Sequence, residues 1–188
     1  MLNLYITGAD EHSDKIFVTA GLTATMNSLG YSTGVYKPIE TGVEILNNFV
    51  QSPDIAFIKF VDPYIKTYYS YLFKSKNSPL LAAAAENIVI ERNTILRDFQ
   101  NIQDVNECLV VDGVSGLASP LSKNFLEEDM IKCLDLPLLM VVSAKNPPFA
   151  RAVSVCRVSD KIAAEHSCSI ACRGANACGG VHTMYGAS

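Results

Sequence analysis

The feature that most constrains this chain lies in its first thirty-six residues. Leu2 to Ile6 is a short apolar run with the length of a buried strand, and Gly8 ends it. From Lys15, apolar residues fall at Phe17, Val18, Ala20, Leu22, Ala24, Met26 and Leu29, the spacing of a helix, with Gly30 as its stop. Thr33 to Tyr36 reads as a second strand. Strand, loop, helix and parallel strand form one α/β unit, and such a unit commits the chain to a sheet covered by helices on both faces.

The rest of the chain repeats the alternation. Ser52-Pro53 opens a helix with a capping hydroxyl and a proline at its first position. Tyr64 to Phe73 is tyrosine-rich and fits neither period. Ser78-Pro79 repeats the cap signal before an alanine run, and Ile90 to Ile102 has amphipathic spacing. Cys108 to Asp112 predicts a central strand ending in an acid. Asn124 to Leu134 predicts a helix whose acidic first turn suits its dipole. Leu138 to Ser143 is the clearest buried strand. The predicted class is α/β: a P-loop-type parallel sheet with helices on both faces and an atypical or incomplete C-terminal part. Residues 1–145 are expected to form a single α/β domain. Residues 146–188 form a Cys/Gly-rich tail with no strand–helix alternation to complete the sheet, which predicts an exposed edge.

Three stretches carry chemistry. Gly8 to Ile16 lies where strand turns into helix, the place where backbone N–H groups and the helix N-terminus hold phosphate. Lys15 is positioned to reach the outer phosphates. Asp14 stands where such a loop has glycine, and Ile16 stands where it has a hydroxyl for Mg²⁺. A carboxylate about 4 Å from phosphate costs about 4 kcal/mol at an effective dielectric near 20. His12, in the same loop, points at phosphate or at solvent. The second stretch, Tyr36-Lys37-Pro38-Ile39-Glu40-Thr41-Gly42, sits at a strand's C-terminal end, where open α/β sheets bind ligands. The third, Val110-Val111-Asp112-Gly113-Val114-Ser115-Gly116, offers an acid beside small residues, suited to Mg²⁺ or to a simple turn.

In this order the three stretches resemble the dethiobiotin synthetase family, over roughly residues 2 to 145. The family's strand leads into Gly-Thr-Asp-x-x-x-Gly-Lys-Thr, here Gly8-Ala9-Asp10 and Asp14-Lys15-Ile16. Its Tyr-Lys-Pro-x-x-Ser/Thr-Gly stands intact as Tyr36 to Gly42. Asp54 and Ser78-Pro79 match further positions, and Val-Glu-Gly-Ala-Gly-Gly corresponds to Val111 to Gly116, followed by Leu117 to Leu121. The resemblance implies an ATP- and Mg²⁺-dependent cyclo-ligase that carboxylates 7,8-diaminononanoate with CO₂ and closes the ring of dethiobiotin. It implies Lys37 and Lys15 as catalytic residues. It places ATP at His12, Ser13, Asp14, Lys15, Ile16, Phe17, Asp54 and Asp112, substrate at Thr41 and Asp10, and Mg²⁺ at Asp54 and Asp112. A homodimer follows from the same family.

The departures at 14, 16, 114 and 115 are each one transition away from the family residue. They predict, as the alternative, an impaired pseudoenzyme or decayed copy with weak or no ATP binding and a tail read out of frame. A partitioning or maturation NTPase shares the loop but fits Tyr36 to Gly42 less well. Cys168, Cys172, Cys178 and His182 offer a zinc ligand set, disulfides or incidental thiols. Cys108 and Cys133 read as small buried apolar residues. A net charge of −4 without a basic cluster makes nucleic acid and membrane poor partners. No apolar run approaches the roughly 18 residues of a membrane span, and the N-terminus reads as a strand, so the expected location is cytoplasmic.

Overall fold

The computed structural model describes residues 2–8, 13–47, 49–143, 168–173 and 181–184. The chain runs β1 (Leu2–Gly8), α1 (Lys15–Ser28), β2 (Thr33–Thr41), β3 (Glu44–Leu46), β4 (Phe49–Gln51), α2 (Pro53–Val61), β5 (Lys66–Phe73), α3 (Pro79–Ala85) and α4 (Arg92–Gln103). It continues through β6 (Cys108–Asp112), β7 (Pro120–Ser122), β8 (Phe125–Leu126), α5 (Glu127–Leu134), β9 (Leu138–Ser143), β10 (Cys168–Arg173) and β11 (Val181–Met184).

Seven strands form the main sheet, in the order β11-β10-β9-β1-β6-β2-β5. All of its pairs are parallel except β10 with β11. β1 is central, with Tyr5 opposite Val111 of β6 on one side and Leu138 of β9 on the other. Alternate residues of a strand face opposite ways, and the core divides accordingly. Tyr5, Leu109, Val111, Leu138 and Met140 join one cluster with Ala82 of α3, Phe99 of α4 and Met130 of α5. Ile6, Val110 and Val141 pack with Met26 of α1 on the other face, where Ala20 of α1 and Ile58 of α2 also meet Val35. Because β1, β2 and β6 are parallel, the three chemistry-bearing stretches emerge at one edge.

One open stretch is assigned, and three expectations are corrected. The tyrosine-rich stretch is β5, an edge strand whose side chains are mostly half-buried on both faces, so no clean alternation marks it. The helix predicted from Asn124 begins at Glu127, because Phe125–Leu126 first pairs with β7. Cys133 is half-buried, whereas Cys108 is buried. Beyond β9 the sequence predicts no strand and an open edge, yet β10 pairs along all of β9 and β11 closes antiparallel on β10. Cys178 lies outside the described residues. Among the described residues, no group of three or more His, Cys, Asp or Glu side chains could hold a metal ion. No helix among them is long and apolar enough to cross a membrane.

Candidate active site

Asp112, the last residue of β6, is the centre of the site and is fully buried. Its Oδ1 accepts hydrogen bonds from Lys15 Nζ at 2.8 Å and Thr19 Oγ1 at 2.9 Å. Its Oδ2 accepts from Lys37 Nζ at 2.6 Å. Lys15 opens α1 and Thr19 follows one turn later, so both fall on the helix face turned to β6. Lys37, on β2, is 2% exposed, and its ammonium also meets Asp54 Oδ2 at 2.8 Å and Glu40 Oε2 at 3.0 Å. Asp54 stands in the first turn of α2, which Ser52 caps by accepting from Ile55 N at 3.2 Å.

Three carboxylates thus surround two lysines. Burial pushes the Asp112 carboxyl up, but the ammonium groups of Lys15 and Lys37 outweigh it and bring it down to about 2. Burial pushes Lys37 down, and Asp112, Glu40 and Asp54 together hold it well above its ordinary range. Glu40 is raised, because its own burial exceeds the relief that Lys37 supplies. Asp112 and Lys37 are therefore held in their charged forms by one another and by Lys15, Glu40 and Asp54.

The structure brings Lys15, Lys37, Asp54 and Asp112 together. Thr41 ends β2 half-buried, and Gly42 turns the chain with φ +70°, its N–H donating to Ser75 O at 2.8 Å. Ser13 is buried. Asp14 precedes α1 in the left-handed region at φ 56°, ψ 28°, with no side-chain cap bond. Ile16 is half-buried and packs against the cluster of Ala20, Val35 and Ile58. Phe17 packs edge-on against Phe57 of α2, ring centroids 4.7 Å apart. Asp10 and His12 lie outside the described residues. Three residues were missed by sequence reasoning. Thr19 is spaced four from Lys15 and Glu40 three from Lys37, so helix and motif spacing could have found both. Glu127 was read only as an acid at a helix start.

Mg²⁺ needs only one or two carboxylates beside phosphates and water. Asp54 and Asp112 converge on the single Lys37 ammonium, and Asp54 is more than a third exposed.

A parallel sheet with helices on both faces and a lysine at the first strand-to-helix turn is the architecture of a P-loop-type α/β protein. The family model described as "AAA domain" matches residues 2–161, and the chain belongs to that family. Within it, the chain is consistently homologous to ATP-dependent dethiobiotin synthetases from many species. It is 30% identical to the Bacillus licheniformis protein of that name over 144 residues, 75% of this chain and 60% of that one. It is 30% identical to the Anoxybacillus flavithermus protein over 146 residues, 77% of this chain and 66% of that one. The Fusobacterium nucleatum protein is also 30% identical over 146 residues, 76% and 66% respectively. The chain thus spans about two thirds or less of the length of these relatives. A solved structure, the chimerical protein CapA2B2, is a loose likeness at 14% identity and TM-score 0.46, over 85% of this chain and 70% of that one.

Proposed function

We propose that the chain is an ATP-dependent cyclo-ligase that converts 7,8-diaminononanoate and CO₂ to dethiobiotin. The observation that carries this reading is the convergence of Lys15, Lys37, Asp54 and Asp112 at one edge of the sheet. In the reaction, one substrate amine and CO₂ give a carbamate and a proton. The carbamate oxygen takes the γ-phosphoryl group of ATP, leaving ADP. The second amine attacks the activated carbonyl, the ring closes, and phosphate leaves. Each step builds or moves negative charge, so catalysis rests on positioned cations.

Lys37 is placed to neutralise the carbamate and the transferring phosphoryl group. Lys15 serves the β- and γ-phosphates. Both must exchange Asp112 for phosphate oxygen when nucleotide enters. Asp54 and Asp112 would hold Mg²⁺, which supplies further positive charge to the phosphates when bound. Ser13 to Phe17, with His12, would frame the phosphates, and Thr41 and Asp10 would contact the diamine. The same reading makes the protein a cytoplasmic homodimer.

A second reading, a relative with impaired ATP turnover, is favoured by Asp14 and Ile16. One puts a carboxylate at the phosphate turn, and the other puts a half-buried isoleucine where the family's loop has a hydroxyl. Calorimetric titration with ATP·Mg²⁺, followed by turnover with diamine and bicarbonate, separates the two. Micromolar binding with ring closure supports the ligase. Absence of both in the native chain, with binding restored in Asp14→Gly/Ile16→Thr, supports the impaired relative.

A further inference from the structure

The fully buried Glu127 has no part in the chemistry above, and among the described residues it forms no ion pair with lysine or arginine. It is held by four donors instead. Oε1 accepts from Thr7 Oγ1 at 2.7 Å and from Tyr5 OH at 3.2 Å. The successive backbone N–H groups of Ser115 and Gly116 donate to Oε2 at 3.0 and 3.1 Å. Two consecutive N–H groups aimed at one oxygen form an anion-binding nest. Here the anion is the protein's own.

The loop so held starts one residue after Asp112. It is tied down along its whole length. Gly113 N donates to Ile6 O at 2.8 Å, and the first N–H groups of α5, on Glu127 and Glu128, donate to Ser119 O and Leu117 O, each at 3.0 Å. A Cβ on Gly113 would come within 2.1 Å of Glu127 Oε1, so the backbone and this carboxylate are fitted to one another.

We propose that Glu127 is a positioning residue: it fills the Ser115–Gly116 nest and fixes the loop from which Asp112 faces Lys15 and Lys37. Two consequences follow. The nest is closed to an incoming phosphate or carboxylate, so the lysines are the anion-binding groups at this edge. Asp112 keeps its two oxygens divided between the two lysines because the backbone behind it cannot turn. The consequence for turnover rests on the ligase reading; the clamp itself does not.

The test compares the native protein with Glu127→Gln and Glu127→Ala by amide hydrogen exchange and NMR, without nucleotide. Glu127→Ala is expected to speed exchange at Ser115 and Gly116 about tenfold or more. Glu127→Gln keeps an acceptor for both N–H groups and is expected to stay within about threefold of native. Sodium formate, the probe for the vacated nest, is expected to restore protection in Glu127→Ala and to leave the native amides unmoved. With ATP present, the Mg²⁺ concentration for half-maximal turnover rises in Glu127→Ala and not in Glu127→Gln, a split that a packing role would not produce. Native protection at both amides in Glu127→Ala would overturn the proposal, as would formate shifting those amides in the native protein. If Glu127→Ala does not fold, Glu127→Gln decides. The loss of charge must move the Ser115 and Gly116 amide proton resonances, and unmoved resonances would overturn the clamp. Failure of ATP to bind would sink the ligase reading and leave the exchange result standing.

Discussion

Lys37 and Asp112 face one another across adjacent parallel strands with Nζ and Oδ2 2.6 Å apart, the lysine 2% exposed and the aspartate 0%. Lys15 takes the other oxygen of the same carboxylate at 2.8 Å. The arrangement is asymmetric. Asp112 holds two ammonium groups, whereas Lys37 has two further carboxylates in reach. Removing one partner of a buried pair strands the other, at a cost of about 3–5 kcal/mol. Lys37→Met takes the cation from Glu40, Asp54 and Asp112 at once and is expected at the upper end. Asp112→Asn leaves Lys37 paired with Glu40 and Asp54 and is expected to cost about half as much. Urea unfolding at neutral pH checks the ranking, and equal losses would contradict it.

The acid limb of stability should carry the signature of Asp112. Its carboxyl falls from an ordinary 3.8 to about 2 on folding. Between those values the unfolded chain binds more protons than the folded one. The stabilisation is thus complete above about pH 4 and is lost as pH falls through about 2, amounting to about 2 kcal/mol. Glu40 acts in the opposite direction. Its folded carboxyl is raised, so its contribution is present below its unfolded value and lost as pH rises through the folded one. Glu40→Gln is expected to remove that downward tilt and to leave the drop below pH 4 in place. Denaturation midpoints from pH 2 to 7 on both proteins show whether it does.

Much of this site was legible because its residues sit at strand and helix ends, where sequence signals are strong. Lys15 opens α1 at the stop of an apolar strand, and Asp112 closes the CLVVD run. Once β1, β2 and β6 are parallel neighbours, the meeting of Lys15, Lys37 and Asp112 follows from topology. Elsewhere identical signals had different outcomes. Ser52 caps α2 through Ile55 N, whereas Ser78, before the same proline, makes no cap bond. Local sequence offers the hydroxyl, and tertiary packing decides whether it is used. Glu127 was illegible for a related reason. Three acids, Glu127, Glu128 and Asp129, begin α5, and dipole arguments treat them alike. Only the first is buried, where Tyr5 and Thr7 of β1 donate to it. Strands β10 and β11 lie in a Cys/Gly-rich stretch whose pairing is set by the edge of β9 and not by its own periodicity.

Gly113 should tolerate no side chain, for reasons of space and not of backbone angle. An alanine Cβ there would meet Glu127 Oε1 at 2.1 Å, Tyr5 Cε1 at 2.9 Å and the Ile6 carbonyl at 3.0 Å. The first could move only by giving up the loop clamp, and the last is backbone. Gly113→Ala is expected to cost roughly 2–3 kcal/mol. Adding Glu127→Ala relieves one of the three contacts, so the double variant should be more stable than the sum of the single losses. Gly21→Ala in α1 is the control. Nothing lies within 4 Å of its Cβ, and the helix gains up to about 1 kcal/mol. A double-mutant cycle by thermal unfolding measures the coupling, and strict additivity at 113 and 127 would refute it.

Asp14 and Ile16 should respond differently to repair, though both sit at the same turn. Asp14 holds φ 56°, a conformation that costs a non-glycine residue about 1 kcal/mol. Glycine removes that strain but gives back roughly 0.5–1 kcal/mol as entropy of the unfolded chain. Asp14→Gly is therefore expected to leave stability nearly unchanged while strengthening ATP binding, since a carboxylate beside polyphosphate is gone. Ile16 packs against Ala20, Val35 and Ile58. Ile16 is half-buried there, so Ile16→Thr loses part of that apolar contact, at about 1 kcal/mol. Its gain is confined to nucleotide with Mg²⁺, where a hydroxyl ligand matters. Calorimetry with ATP, in the presence and absence of Mg²⁺, separates the two effects. Asp14→Gly tightens binding in both conditions, and Ile16→Thr only when the metal is present. Tightening by Ile16→Thr without metal would rule out a ligand role for position 16.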